Sequence, residues 1–248
     1  MRDNLAKTGT IYGVGLGPGN PDLMSVRADR LIRNARHVAF FRKAGKAGQA
    51  RSIVQGMLAP DAIEFGMEYP VTTEIALSDP AYNGSLAPFY ADCVAHLVAL
   101  AQAGEDVVVL CEGDPFFYGS FMHLHSRLTG LVPVEVLPAT TGMSGAWTAT
   151  GVPITWGDDV LTVLMATLPE AELARRMADT DALVVMKIGR NMARVRQALA
   201  QAGRLDEAWV VEFATMPNQR VLRLADLPEG GVSPYFSIVL VHGKGRRP

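Results

Sequence analysis

The sequence of 248 residues contains only two cysteines, Cys93 and Cys111, which stand far apart and have no metal-ligand companion nearby. This scarcity excludes a disulfide framework and a zinc site, so we expect no bound metal and two packed thiols. Charged residues make up 19% of the chain, and the formal net charge is −2. Because there is no global basic field, nucleic acid and anionic membranes are poor candidate partners, and an anionic ligand must meet local positive charge.

The first ten residues are polar and lack the apolar core of a signal peptide, and no apolar run approaches the length of a membrane span. We therefore expect a cytoplasmic protein with no membrane partner. Hydrophobic residues make up 49% of the chain, which is typical of an ordered globular protein. The length allows one large domain or two of ordinary size.

Short apolar runs alternate with amphipathic segments along the whole chain, which predicts an α/β fold. The predicted strands cover residues 10–14, 37–41, 106–111, 134–137, 161–165, 183–186, 210–213 and 236–241. One predicted helix begins near residue 20, and the others cover 86–103, 120–128, 170–178 and 193–202. Gly and Pro interrupt the pattern at residues 129–133, so we predict two α/β domains, 1–130 and 131–248. The strand at 134–137 should open the second domain, and the last strands should pair antiparallel.

The first predicted strand ends in a glycine loop, GVGLGPG, at residues 13–19. Such a loop before a helix can bring its backbone close to an anionic ligand, so a dinucleotide is the first candidate. The G-x-G-x-x-G spacing fails, however, because Pro18 stands three residues after Gly15 and Asn20 three after Gly17. No acidic residue ends the second strand. The pattern therefore disfavours NAD and FAD, and a simple connecting loop remains an alternative.

Two further loops follow predicted strands. CEGDPFFYGS at residues 111–120 stands at the carboxyl end of a buried strand, the edge at which open α/β sheets bind ligands. Gly-Asp-Pro is also a common turn, and the aromatic residues 116–118 can either enter the core or line a cleft. PATTG at residues 138–142 offers hydroxyls and amides at a helix start, which is also an ordinary capping signal.

Taken together and in this order, the three loops resemble those of the tetrapyrrole methylase family, whose members carry G-x-G-P-G, G-D-P-x-x-Y-G and P-G-x-S-S-like segments. Five segments are similar to the branch of the family that methylates carbon 20 of precorrin-2: CEGDPFFYGSF (111–121), DVLTVLMATL (159–168), VMKIGR (185–190), ATMPNQR (214–220) and PYFSIV (234–239). The sequence departs from the family at Ala139, where Gly is usual, and at Met165-Ala166, where Pro-Gly is common.

The resemblance implies a methyltransferase of corrin synthesis, with two α/β domains, S-adenosylmethionine in the cleft between them, S-adenosylhomocysteine as product, and a homodimer. It assigns the cofactor contacts to Leu16, Pro18, Gly113, Asp114, Tyr118, Ser120, Phe121, Thr140, Thr141, Met165, Ala166, Lys187, Ile188, Ala214 and Met216. A sulfonium methyl is already a strong electrophile, so positioning should dominate the rate. The weak candidates for a general base are Tyr118, Glu112, His123 and His125.

The implied substrate carries eight carboxylates, which favour cations that can form forked hydrogen bonds. A basic stretch runs from Arg27 to Arg51. We expect residues 27–36 to form a solvated helix face. Arg42, Lys43 and Lys46 follow a strand end in a Gly-containing loop, so we predict that they bind substrate; a solvated surface is the alternative.

Other functions stay open. Within the family, cobalt-factor II is an alternative substrate, whereas uroporphyrinogen, a diphthamide intermediate and ribosomal RNA fit the segments or the charge less well. Outside it, the chain could be a nonenzymatic tetrapyrrole-binding protein or a chelatase that uses His123 and His125. Two histidines at i and i+2 on a helix point to different sides, which disfavours a shared metal site.

Overall fold

The computed structural model describes residues 8–70, 80–228, 230 and 232–246. The chain divides into two compact units, Met1–Thr141 and Gly142–Pro248. Each unit contains a five-stranded sheet and helices, so the predicted α/β class is confirmed.

The first unit has a parallel sheet of strand order β3-β2-β4-β1-β5. Its elements are β1 (Ile11–Gly15), α1 (Val26–Asn34), β2 (His37–Lys43), α2 (Gln49–Ile53), β3 (Ile63–Tyr69), α3 (Pro80–Gln102), β4 (Val107–Cys111), α4 (Phe121–Leu128) and β5 (Val134–Leu137). All five residues of β4 are buried, because helices cover both faces of the sheet. Val107 and Val109 pack with α3 and α4, and Val108 and Leu110 pack with α1 and α2.

The second unit has the strand order β6-β7-β10-β8-β9. Its elements are α5 (Gly142–Ala149), β6 (Leu161–Met165), α6 (Glu170–Ala178), β7 (Ala182–Met186), α7 (Met192–Gln201), β8 (Trp209–Glu212), β9 (Arg220–Arg223) and β10 (Ser237–Val241). β6 and β7 are parallel, and β10 pairs antiparallel with both β7 and β8. β8 and β9 are also antiparallel, so the predicted pairing of the last strands is confirmed.

Three features differ from the sequence predictions. The strand at 134–137 is β5 and pairs with β1, so it belongs to the first sheet, and the units divide after Thr141 and not after residue 130. The first helix begins at Val26, where Ser25 caps it, and only a short 3-10 turn follows Asn20. β3, β9 and α2 were not predicted, and of α5 only its start after the loop at 138–142 was.

One helix in the described part of the chain is long and apolar enough to cross a membrane by length and composition, the segment Gly84–Gln102 within α3. Our sequence interpretation that no apolar run reaches such a length is therefore wrong for α3. In the structure, Tyr90, Cys93, Leu97 and Ala101 of this helix are buried in the core beside β4 and α4. Packing against the first sheet thus accounts for an apolar face of α3.

Gly13 in the middle of β1 makes room for the ring of Phe121, which is 1% exposed. A Cβ at position 13 would lie 2.3 Å from the Phe121 ring atoms Cε1 and Cζ. We expect Gly13→Ala to lower the free energy of unfolding by about 1–3 kcal/mol, because the core is already filled. Urea unfolding measures this. Gly84→Ala, at an exposed helical position with open space around it, is the matched control and should not destabilise the protein. Equal stability of Gly13→Ala and wild type would contradict the described packing.

Candidate active site

The loops that follow β1, β4 and β5 meet at the carboxyl edge of the first sheet. The Leu16 N–H donates to the Cys111 carbonyl over 2.9 Å, and the main chains of Gly17 and Gly113 exchange two hydrogen bonds of 3.0 and 3.4 Å. A Cβ on Gly15 would lie 2.6 Å from the Cβ of Ala139 and 2.9 Å from the Gly113 carbonyl oxygen. Only glycine therefore fits at position 15, where all three predicted loops come together.

Asp114 ties the second loop to the third. Its Oδ1 accepts from the Phe116 N–H at 2.9 Å, and its Oδ2 accepts from the Ala139 N–H at 3.0 Å. We predicted a cofactor contact for Asp114; the structure gives its carboxylate a positioning role, and the cofactor contact stays a prediction. Because each bond joins a charged acceptor to an amide, both belong to the stronger class of hydrogen bond.

The hydrogen bonds of the glycine loop argue against a phosphate site. The N–H groups of Leu16, Gly17 and Gly113 are all used inside the protein. The second loop also carries two acids, Glu112 and Asp114, which disfavour an anion and favour a cation at this edge. The structure thus supports the rejection of a dinucleotide.

Four non-glycine residues of the described chain have left-handed backbone: Tyr118 (φ 55°), Lys187 (φ 56°), Phe213 (φ 51°) and Thr215 (φ 67°). Lys187 and Phe213 directly follow β7 and β8, and Tyr118 lies in the loop after β4. This conformation costs an L-residue about 1–2 kcal/mol, and such strain is concentrated at functional sites. All four residues lie in or beside the segments that the family resemblance assigned to the cofactor.

The predicted cofactor residues of the second unit share one edge of its sheet. Met165 pairs with Met186, and the Ala166 N–H donates to the Met186 carbonyl over 2.8 Å, which places the ends of β6 and β7 together. Beyond β8, the Phe213 N–H donates to the Phe236 carbonyl over 2.7 Å, just before β10 begins. The segments that carry Met165, Lys187 and Ala214 are therefore neighbours at this edge.

The turn at residues 213–219, between β8 and β9, is closed by its own hydrogen bonds. The Thr215 N–H donates to Gln219 Oε1 at 2.7 Å, and the Met216 N–H donates to the Phe213 carbonyl at 2.9 Å. The turn therefore has a defined conformation that includes the predicted cofactor residues Ala214 and Met216.

The remaining predicted cofactor residues divide by burial. The side chains of Leu16, Phe121, Ala166 and Ile188 are at most 1% exposed and belong to the cores, so only their main chains can reach a ligand. Pro18 is also buried, whereas Ser120 and Thr141 are half-buried and Thr140 is exposed. The Ser120 Oγ accepts a hydrogen bond from the hydroxyl of Tyr69 at the end of β3, a residue that the sequence did not single out.

Three of the weak candidates for a general base have structural neighbours. Glu112 Oε1 accepts from the Ala50 N–H at 3.1 Å and thereby caps the start of α2. The ring of His125 packs edge-on against Phe116 with centroids 4.7 Å apart, and that of His123 lies 5.1 Å from Tyr90. The ring of Tyr118 also packs edge-on, against Phe117 with centroids 4.9 Å apart, but 44% of its surface is exposed and its hydroxyl has no hydrogen-bond partner among the described residues.

Neither cysteine has the character of a nucleophile. Both are buried, as predicted. Burial raises the pKa of Cys93 to about 11 and raises that of Cys111 further. The described residues contain no group of three His, Cys, Asp or Glu side chains placed to bind a metal ion.

The basic stretch lies partly in ion pairs. Arg27 contacts Glu135 at 2.5 Å on the solvated face of α1, as predicted for that face. Arg42 lies on β2 and not in a loop, because the strand continues to Lys43, and its Nη2 is 3.2 Å from Glu68 Oε2 on β3. Lys43 ends β2 and Lys46 lies in the turn beyond it, and both are exposed. These two lysines are therefore more accessible to a substrate than Arg42.

Glu212 and Arg220 form an ion pair that the sequence analysis missed. Glu212 ends β8 and is only 5% exposed, and Arg220 begins β9 directly opposite. The available signal was a single acid after the apolar run Val210-Val211, which is unusual at a buried position.

Comparison with known proteins agrees with the loop geometry. Residues 10–228 match the family described as Tetrapyrrole (Corrin/Porphyrin) Methylases. The chain belongs to the tetrapyrrole methylase family. It is 50% identical to a precorrin-2 C(20)-methyltransferase from Sinorhizobium sp, over 97% of this chain and 98% of that protein. It is 29% identical to a cobalt-precorrin-2 C(20)-methyltransferase from Salmonella typhimurium, over 94% and 96% of the two chains.

A solved structure of similar fold is the uroporphyrin-III C-methyltransferase from Thermus thermophilus complexed with S-adenosylhomocysteine. The TM-score is 0.65 at 24% identity, and the match covers 94% of this tetrapyrrole methylase and 92% of the other chain. This likeness shows the fold.

We expect Asp114→Asn to weaken both the fold and ligand binding in this tetrapyrrole methylase. An amide oxygen can replace one carboxylate oxygen as acceptor but not both, so either Phe116 or Ala139 loses its partner. The loss should be about 1–3 kcal/mol in unfolding free energy, with weaker S-adenosylhomocysteine binding by calorimetry. Asp29→Asn, at a solvated ion pair on α1, is the control. Wild-type stability and affinity in Asp114→Asn would refute the bridging role.

Two variants of Lys187 distinguish the function of its side chain from the strain of its left-handed backbone. The side chain makes no hydrogen bond or ion pair within the described residues, and burial lowers the pKa of its ammonium group although the residue has exposed surface. Lys187→Gly removes left-handed strain of about 1–2 kcal/mol, so stability should be kept or raised. Activity should fall, as it should in Lys187→Met, which removes only the charge. Full activity in both variants would show that the side chain is dispensable.

Proposed function

We propose that the protein transfers a methyl group from S-adenosylmethionine to carbon 20 of precorrin-2, giving precorrin-3A and S-adenosylhomocysteine in corrin synthesis. The observation that carries this proposal is the 50% identity to a precorrin-2 C(20)-methyltransferase over nearly the full length of both chains. The five sequence segments similar to that branch, and the convergence of the three family loops at Gly15, agree with it.

The first-unit loops suit S-adenosylmethionine by shape and charge. Position 15 leaves no space for a side chain, because Ala139, Gly113 and Pro115 surround it, so the three loops are held close together at the sheet edge. The acids of the second loop favour a cationic sulfonium, and the exposed faces of Phe116 and Tyr118 offer apolar contact. The proposed contacts are those that the resemblance implied, with Leu16, Phe121, Ala166 and Ile188 acting through their main chains.

S-adenosylmethionine supplies an electrophilic methyl group, so the protein's contribution is placement of about 3–3.5 Å between the reacting atoms. Asp114 fixes the second and third loops to each other, which keeps their geometry constant. The hydrogen bonds within the turn at 213–219 fix that second-unit segment in the same way. Tyr118 is the remaining candidate to accept a proton after transfer.

A cobalt-containing substrate is the second candidate. It is favoured by the 29% identity to a cobalt-precorrin-2 C(20)-methyltransferase, but the 50% identity to a precorrin-2 C(20)-methyltransferase favours precorrin-2. The homodimer and the cytoplasmic location that we predicted stay predictions.

Incubation with precorrin-2 and S-adenosylmethionine labelled in the methyl group tests the proposal directly. The label should appear at carbon 20 in the NMR spectrum of the product, and a parallel reaction with cobalt-factor II ranks the two substrates by kcat/KM. Label at another carbon would refute the assigned position. Absence of transfer with cofactor still bound would favour a tetrapyrrole-binding protein.

The exposed lysines at the end of β2 and in the turn after it test substrate binding separately from the cofactor. Replacing Lys43 and Lys46 together by Ala should raise the KM for precorrin-2 and leave cofactor binding unchanged. Each charge-assisted bond is worth about 1.5–3 kcal/mol if the ligand covers it and far less if it stays exposed. The variant should also be less sensitive to salt than wild type.

Arg33→Ala is the control, because Arg33 is a solvated residue paired with Asp29 on α1. An unchanged KM and an unchanged salt response in the double variant would make these lysines an ordinary solvated surface.

A further inference from the structure

Glu212 has a buried carboxylate with one hydrogen-bond partner among the described residues. It ends β8, is 5% exposed, and its Oε2 accepts from Arg220 Nη1 at 3.0 Å. The described residues supply no other polar partner to its side chain. Burial of a carboxylate is costly unless it is paired, and a single arginine offsets only part of that cost. Glu212 therefore serves to orient Arg220.

Arg220 differs from other arginines of the second unit. Arg204 donates to the carbonyls of Thr180 and Asp181, both at 2.8 Å, and the guanidinium of Arg223 lies 3.8 Å from the centre of the Trp209 ring. Arg220 makes only the bond to Glu212 within the described residues, and 59% of its side chain is exposed. One end of its guanidinium is thus fixed while the other donors remain available.

The position of Arg220 places these donors at the predicted ligand-binding edge. Arg220 pairs across the ladder with Glu212, and Glu212 pairs with Ser237 on the other side. The turn that holds Ala214 and Met216 begins directly after Glu212 and ends directly before Arg220. A ligand bound at this turn therefore lies within reach of Arg220.

The charge at this edge favours an anion. Lys187 and Arg190, which follow β7, have no ion-pair partner among the described residues. In the described residues at the ends of β7 and β8 and the start of β9, these two cations and Arg220 face one acid, Glu212. A guanidinium held at one end presents its remaining N–H groups as a planar fork, which matches a carboxylate. The chemical class of the ligand is therefore a carboxylate.

We propose that Arg220, oriented by the buried Glu212, binds a carboxylate of the tetrapyrrole substrate. This inference rests on the proposed function, since it names a substrate contact of that reaction. It adds a carboxylate-binding residue in the second unit to the lysines proposed in the first.

The test compares Arg220→Met, Arg220→Lys and Glu212→Gln. Arg220→Met should raise the KM for precorrin-2 by about tenfold or more at low salt, with the Kd for S-adenosylhomocysteine within about twofold of wild type. Arg220→Lys keeps the charge and loses the fork, so its KM should lie between those of wild type and Arg220→Met. Glu212→Gln keeps one oxygen acceptor for Arg220 but removes the charge that pairs with the guanidinium, so it should raise the KM less than Arg220→Met does.

Arg223→Met is the matched control, because Arg223 is on the same strand but stacks on Trp209, and it should keep the wild-type KM. Unfolding temperatures of all variants identify any general loss of structure. An unchanged KM in Arg220→Met would overturn the inference. A rise in the S-adenosylhomocysteine Kd that parallels the KM would also overturn it, because the pair would then only support the turn at 213–219.

A binding experiment separates this inference from the proposed reaction. Fluorescence titration with uroporphyrin, a stable polycarboxylate tetrapyrrole, needs no turnover. Weaker binding by Arg220→Met than by Arg223→Met supports the carboxylate contact even if wild type fails to methylate precorrin-2, in which case only the proposed reaction fails. Equal binding by the two variants overturns the contact.

Discussion

The close approach of three loops around Gly15 is the constraint on which the first-unit site depends. Parallel pairing of β1 with β4 and β5 brings the loops to one edge, and the absence of a side chain at position 15 lets Ala139 and Gly113 come within van der Waals distance of its backbone. Asp114 then fixes the third loop to the second by accepting from the Ala139 N–H. Because these contacts use main-chain groups, the site geometry follows from the fold itself and depends little on exposed side chains.

In the second unit, the edge that carries the predicted cofactor residues is fixed by different means. Its segments there have left-handed backbone at Lys187, Phe213 and Thr215, where glycine would be less strained. Because a non-glycine residue in this conformation costs free energy of folding, its presence at these positions suggests that the side chain has a function at this edge. The Glu212–Arg220 pair joins β8 to β9 at the base of the strained turn, so one ion pair both closes the turn and orients an exposed cation.

The sequence was informative where apolar residues followed a clear pattern, either along a whole strand or on one face of a helix. The helix at 170–178 was predicted with the bounds of α6, and β4 was recognised because all its residues are apolar. β3 was missed since Met67 is its only buried residue, which leaves no clear alternation of apolar and polar positions. The boundary at 130 was placed by Gly and Pro near the turn before β5, but sheet membership depends on which strand β5 pairs with, and local composition carries no such information.

The roles of individual site residues were harder to predict than their positions. Motif order placed the three loops at one edge, yet Glu112 caps α2, 62 positions away in sequence, and Arg42 pairs with Glu68 on a strand that was not predicted. Such partners are set by register between distant segments. The result is a distribution of charge that composition hides. Acids lie in the second loop, and cations without an ion-pair partner among the described residues lie at the end of β2, in the turn after it and beyond β7. A near-neutral chain can thereby favour a cationic cofactor at one point and an anionic substrate at others, without a global field of either sign.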